Sequence, residues 1–194
     1  MDKQRPNLKY TVKQDNNFKS FVQEKDLVID SWGNPDAPSI YDDVMKFSNC
    51  ENVSVKGVTV CGGQEDCIDV VRGKNYIFQD LTLCPLKNGI TVKGSVDGWY
   101  LKNILFERKG DAYTIEIGQY DNYWTLSTPP TRNGVIESVK IADGSKVVVR
   151  VWDGEKPLLI NAPNVKVVKI PKFIWLPYFV FRSIQRNGLK FFKK

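Results

Sequence analysis

Asn52-Val53-Ser54-Val55-Lys56-Gly57-Val58-Thr59-Val60-Cys61 aligns with Asn75-Tyr76-Ile77-Phe78-Gln79-Asp80-Leu81-Thr82-Leu83-Cys84 at an offset of 23 residues, cysteine on cysteine. A further step brings Gly98-Trp99-Tyr100-Leu101-Lys102-Asn103-Ile104-Leu105-Phe106 into the same frame. A fixed period of this length marks a repeat architecture, in which each unit buries its apolar face only against its neighbours. Each unit also holds a second alternating segment: Cys67-Ile68-Asp69-Val70, Gly89-Ile90-Thr91-Val92, Thr114-Ile115-Glu116-Ile117 and Lys146-Val147-Val148-Val149-Arg150-Val151. Val and Ile at period 2 predict strands. Corners as short as Lys56-Gly57 and Gln79-Asp80 leave no room for a helix between them. The units must then stack as rungs, giving an all-β, single-stranded parallel β-helix of about 22–24 residues per rung and about six or seven rungs.

The stack is expected to run over residues 26–170. Residues 1–25 are polar, with Phe18 and Phe21 as candidate anchors, and read as an N-terminal arm or cap. The segment from Tyr120 to Arg132 interrupts the period and reads as a loop leaving one rung. Residues 171–194 change composition and read as a C-terminal aromatic and basic cap or interaction tail, since the open end of a solenoid has to be covered.

The chain has 194 residues, a size that allows one domain with a sizeable core. It contains no histidine, which excludes Ser-His and Cys-His nucleophile pairs and imidazole metal ligation. Chemistry is left to carboxylates, lysines, arginines and tyrosines. The net charge of +6 is unevenly placed: residues 156–194 carry nine bases and no acid, leaving 19 bases against 22 acids before them. An anionic partner would dock on that tail. The N-terminus lacks the apolar stretch of a secretory signal, and the longest apolar run, Phe173 to Phe181, is too short to span a bilayer. If Met1 is the natural start, the chain is made in a reducing cytosol and its four cysteines are expected to be thiols. Cys61 and Cys84 should stack on neighbouring rungs, with Cys67 near Cys61, and no Cys-x-x-Cys pattern points to zinc.

Asn52 to Val60 followed by Glu65-Asp66-Cys67-Ile68-Asp69-Val70 resembles the rungs of the pectin-lyase-like right-handed β-helix proteins, and among them the polygalacturonases of glycoside hydrolase family 28. The likeness covers roughly residues 41–118. Tyr41-Asp42-Asp43-Val44 sits where that family has Asn-Thr-Asp-Gly, and Lys87-Asn88-Gly89-Ile90 where it has Gly-His-Gly-Ile. The resemblance implies polysaccharide hydrolysis with Asp43, Glu65 and Asp66 as catalytic carboxylates, one acid protonating the leaving oxygen and one base activating water. Asn88 stands in place of the family histidine, and Thr114-Ile115-Glu116 in place of Arg-Ile-Lys, so the cationic grip on an acidic sugar is missing.

Ile68, Val70, Ile90, Val92, Ile115 and Ile117 should point inward, leaving Asp69, Thr91 and Glu116, with Val148 as the next candidate, in an outward row beside Arg72 and Lys93. With Asn88, these polar residues are the candidate substrate-binding set, although a solvated strand face has the same composition. No cofactor is expected, although Asp42, Asp43, Glu65, Asp66 and Asp69 could instead surround Ca²⁺ without any ligand loop to frame them. Related acidic-polysaccharide lyases imply that use, with Arg72 or Lys93 as proton acceptor. In the tail, Trp175, Tyr178, Phe179 and Phe181 with Arg182 and Arg186 suit a protein interface, and a homo-oligomer would account for the aromatic surplus. No nucleic-acid-binding motif accompanies them, which argues against that partner. The first expectation is therefore a non-catalytic structural or attachment module that binds carbohydrate or a protein partner, of a kind that suits a phage or virus particle. The alternative is a pectinase-like hydrolase or Ca²⁺-dependent lyase acting through Asp43, Glu65 and Asp66. The third is a membrane-surface or nucleic-acid-associated protein that acts through its basic tail.

Overall fold

The computed structural model describes residues 9–10, 19–22, 25–30, 33–34, 43–62, 64–108, 114–118, 129–171 and 173–174. Four short strands come first: β1 (Lys9–Tyr10), β2 (Lys19–Val22), β3 (Val28–Asp30) and β4 (Gly33–Asn34). β5 (Asp43–Lys56), β6 (Thr59–Gly62), β7 (Asp66–Pro85), β8 (Asn88–Lys93) and β9 (Asp97–Phe106) follow. The last are β10 (Ile115–Ile117), β11 (Arg132–Glu137), β12 (Lys140–Ile141), β13 (Val147–Val151), β14 (Leu158–Ile160) and β15 (Val165–Lys169). The pairings between them are parallel, and the strands stack as a β-solenoid of about five turns.

Three faces make up a turn. The first runs β2, the start of β5, the start of β7, β8, β10, β13 and β15. The second runs β1, β3, residues 53–56, 76–79 and 99–102, then β11 and β14. The third runs β4, β6, residues 82–85 and 104–106, and β12. The third face is shorter than the first, so the closed turns number about five where six or seven were expected: beyond β12 the described residues supply only two sides. The break in the period lies between the end of β10 at Ile117 and the start of β11 at Arg132. The stack also reaches further toward the N-terminus than alternation indicated. β2 pairs with β5, and Phe21 stacks on Phe47 with ring centroids 5.1 Å apart.

The repeat dictates the corners. Asn52 and Asn75, equivalent in the offset, both take positive φ (55° and 59°), a conformation Asn tolerates better than other non-glycine residues. Their amides form a ladder at 2.9 Å steps: Asn75 donates to Asn52, and Asn52 to Asp26. Asn103 donates to Asp80 at the next corner in the same way. Gly73, at φ +96°, has no substitute, because a Cβ there would stand 2.0 Å from the Cys50 carbonyl oxygen.

Inside, like side chains pile up. Ile68, Val70, Ile90, Val92, Ile115 and Ile117 are all buried as expected. Phe78, Phe47 and Tyr76 form an aromatic knot with centroids 5.7 to 6.3 Å apart. The Tyr76 hydroxyl accepts from the Cys50 N–H at 3.0 Å and donates to the Arg72 carbonyl at 2.7 Å. Tyr76→Phe keeps the ring and removes both hydrogen bonds, so chemical denaturation should show a loss of about 1–3 kcal/mol. An unchanged midpoint would show that these bonds contribute nothing.

Cys61 and Cys84 do face each other on neighbouring strands, with Cα atoms 4.3 Å apart, but as a disulfide. This corrects the expectation of four thiols: identical register places equivalent sulfurs side by side. Cys50 and Cys67 are buried thiols.

Candidate functional site

On the first face, two columns of polar side chains run across the strands. Asp43, Asp66 and Asn88 occupy equivalent positions at the starts of β5, β7 and β8. Lys46, Asp69, Thr91, Glu116 and Arg150 form the second column, one residue per level. Val148 is therefore not the next member of the row; Arg150 is. Lys93, two residues past Thr91, pairs in register with Val71.

The columns interlock. Lys46 Nζ donates to Asp43 Oδ2 at 2.9 Å and to Asp69 Oδ2 at 2.7 Å. Lys93 Nζ approaches Asp69 Oδ1 at 3.1 Å as an ion contact. Asp66 Oδ1 accepts from Thr91 Oγ1 at 2.6 Å and from Asn88 Nδ2 at 3.0 Å. Carboxylate oxygens of Asp43, Asp66 and Asp69 lie within 4.8 Å of one another. Further along, Glu116 accepts from the Trp152 indole N–H, and the Arg150 guanidinium lies 4.8 Å from the Trp152 ring centroid.

The expected solvated row is a buried one: Asp69 and Thr91 are 0% exposed and Glu116 2%. Alternation correctly put these side chains on the outside of the strand, but outside is not the same as exposed. Lys46 and Lys93 converge on Asp69, and Trp152 reaches Glu116.

Burial sets the electrostatics. Burial first, then the charge of Asp69, pushes the Asp66 carboxyl up to about 7, against the Thr91 hydrogen bond and Lys93, which favour the charged form. Burial and Asp69 likewise raise Asp43, with Lys46 opposing. Burial also raises Glu116, against its Trp152 hydrogen bond. For Lys46 and Lys93 burial disfavours the charge, yet the surrounding carboxylates, Asp69 foremost, outweigh it and raise both. The centre is an ionic network in which each cation is held by acids and the crowding of negative charge favours the protonated form of Asp66.

The residues named from sequence are only partly assembled here. Asp43, Asp66, Asp69, Asn88, Thr91 and Lys93 come together. Glu65 does not: it is an exposed corner residue paired with Lys87 at 3.6 Å. Arg72 sits at a positive-φ corner (59°), half-buried. Asp42 and the tail residues Trp175, Tyr178, Phe179, Phe181, Arg182 and Arg186 lie outside the described residues. Sequence reading missed Lys46, although the signal was there, because Lys46 precedes Asp69 by 23 residues, the period of the repeat. For Ca²⁺, three carboxylates are an apt donor number, but the Lys46 ammonium stands between Asp43 and Asp69, where a bridging ion would sit. The donor set therefore does not fit the metal. Among the described residues no helix is long and apolar enough to cross a membrane. No protein-family model, curated protein or solved structure matches the chain.

Proposed function

We propose that this β-solenoid is a non-catalytic structural or attachment module of a larger assembly, its polar centre serving to hold neighbouring turns in register. One observation carries this reading: the clustered carboxylates are engaged inside the protein, Asp43 and Asp69 by lysines and Asp66 by Asn88 and Thr91. A catalytic pair needs an acid and a base open to substrate. Inverting glycoside hydrolysis also needs carboxyl groups about 6.5–9.5 Å apart, to admit a water. Here one oxygen each of Asp43, Asp66 and Asp69 lie within 4.8 Å of one another, and Glu65 is paired with Lys87.

The second reading is a polysaccharide-degrading enzyme. It is favoured by Asp66, whose pKa of about 7 suits a general acid, and by the likeness of its rung to those of polygalacturonases. Incubation with a panel of acidic and neutral polysaccharides, with Ca²⁺ and with chelator, separates the two by mass spectrometry of the products. Uncut chains across the panel are the expected result. Water-added fragments would identify a hydrolase, and unsaturated Ca²⁺-dependent fragments a lyase; either overturns the structural reading.

A further inference from the structure

Strands with one side in the core should carry polar side chains on the other. The first face obeys this, with its outward column of Lys46, Asp69, Thr91, Glu116 and Arg150. The second face does not. Its outward column runs Ile77, Tyr100, Val135 and Leu158 on four successive turns. Ile77 is 43% exposed and Leu158 61%, with Tyr100 and Val135 half-buried between them. At about 4.8 Å per turn, the four make an apolar ridge roughly 14 Å long. Contiguous exposed apolar surface with a polar rim marks a contact with another macromolecule.

Two residues along each strand, the next outward column is Gln79, Lys102, Glu137 and Ile160. Lys102 Nζ lies 3.4 Å from a carboxylate oxygen of Glu137, and the Tyr100 hydroxyl donates to the same carboxylate. One cation and one anion thus stand beside the ridge on its two middle turns, and the pattern is its own complement. A twofold axis parallel to the strands, midway between the Tyr100 and Val135 levels, sets Tyr100 against Val135 of a second copy and Ile77 against its Leu158. The same rotation sets Lys102 of each copy against Glu137 of the other, so that four charges alternate in sign. A twofold along the solenoid axis, centred on the ridge, would instead set Lys102 against Gly98 and Glu137 against Asn133, bringing neither charge an opposite in the other copy.

We infer that the second face pairs two copies of this chain, solenoid axes antiparallel, through the ridge of Ile77, Tyr100, Val135 and Leu158. The polar centre lies on the first face, so the pairing does not depend on whether that centre is catalytic. Sedimentation velocity of the full chain at physiological salt, where repulsion between the net charges of +6 is screened beyond about 8 Å, should show a dimer that dissociates on dilution. Lys102→Glu gathers four carboxylates at the centre and should raise the dissociation constant at least roughly tenfold. Lys102→Glu combined with Glu137→Lys should restore it, which separates loss of contact from loss of folding. Cross-linking fixes the geometry: Cys50 and Cys67 are buried and Cys61 and Cys84 joined, so added thiols are the reactive ones. In chains carrying both Ile77→Cys and Leu158→Cys, a bismaleimide too short to bridge the roughly 14 Å between those two turns should give covalent dimers, and either single variant far fewer. A monomer at every concentration from micromolar to millimolar overturns the inference. A dimer indifferent to Lys102→Glu also overturns it, by placing the contact on another surface. Single variants that cross-link as well as the double one overturn it too, since like turns would then face each other.

Discussion

Replacing Asp69 with alanine is expected to lower folding stability by about 3–5 kcal/mol, roughly 10 °C in Tm. Asp69 is the common partner of two lysines, Lys46 at 2.7 Å and Lys93 at 3.1 Å. Lys46 is the less affected, since it keeps Asp43 at 2.9 Å and is about a third exposed (31%). Lys93 bears the loss: only 10% of its side chain reaches solvent, and an ammonium at that depth without a contact ion costs more than the pair contributes. Adding Lys93→Met removes the stranded charge and keeps the apolar stem, so the double variant should recover most of the loss. Urea midpoints of the two single variants and the double variant, taken as a cycle, isolate the coupling. Additive losses, or a loss below about 0.5 kcal/mol for Asp69→Ala, would show that the network is solvated and does not hold the turns together.

The same network shows where sequence ends as a guide. Alternation established that Ile68, Val70 and Ile90 face in and Asp69 and Thr91 face out, because a strand's period is fixed by its backbone. It could not establish that the outer side is buried, since burial depends on contacts from other turns, such as those of Lys46 and Lys93 with Asp69. Where the period is unbroken, the stack can be written down in advance: Lys46 over Asp69 and Cys61 over Cys84 both follow from the 23-residue offset. Where segments intervene, the register is lost. Glu116 pairs with Arg150, 34 positions on, and no repeat distance predicts that. Glu65 failed for a different reason. Adjacency to Asp66 placed it in the cluster, but the chain turns a corner there, and its side chain faces Lys87 instead. β2 was missed because it presents one inward aromatic, Phe21, over four residues, too short a run for alternation to register.

Asp66→Asn should raise stability at pH 8 and leave it nearly unchanged at pH 4 or below. The carboxyl of Asp66 has an ordinary value of 3.8 and is pushed up to about 7 in the folded protein, by burial and then by Asp69. A carboxyl with a higher pKa folded than unfolded binds more protons in the folded state between those two values. Stability therefore falls as pH rises from about 4 to about 7 and is level beyond, where both states are ionised. Each pKa unit corresponds to about 1.4 kcal/mol, so the decline attributable to Asp66 is on the order of 4 kcal/mol. Asparagine mimics the protonated form in shape. Its carbonyl can accept from Thr91 and Asn88 as Asp66 Oδ1 does, and its amide hydrogens add no charge to a site that already holds Asp43 and Asp69. Asp43 and Glu116 are shifted in the same direction, so the variant should keep a shallower decline of its own. Urea denaturation of both proteins from pH 4 to pH 9 gives the comparison. Curves that run parallel across that range would place Asp66 outside the proton balance of folding. Curves that converge at low pH and separate by pH 7 would show that the protonated carboxyl is the form the solenoid is built around, and that ionising it is a cost the fold carries at neutral pH.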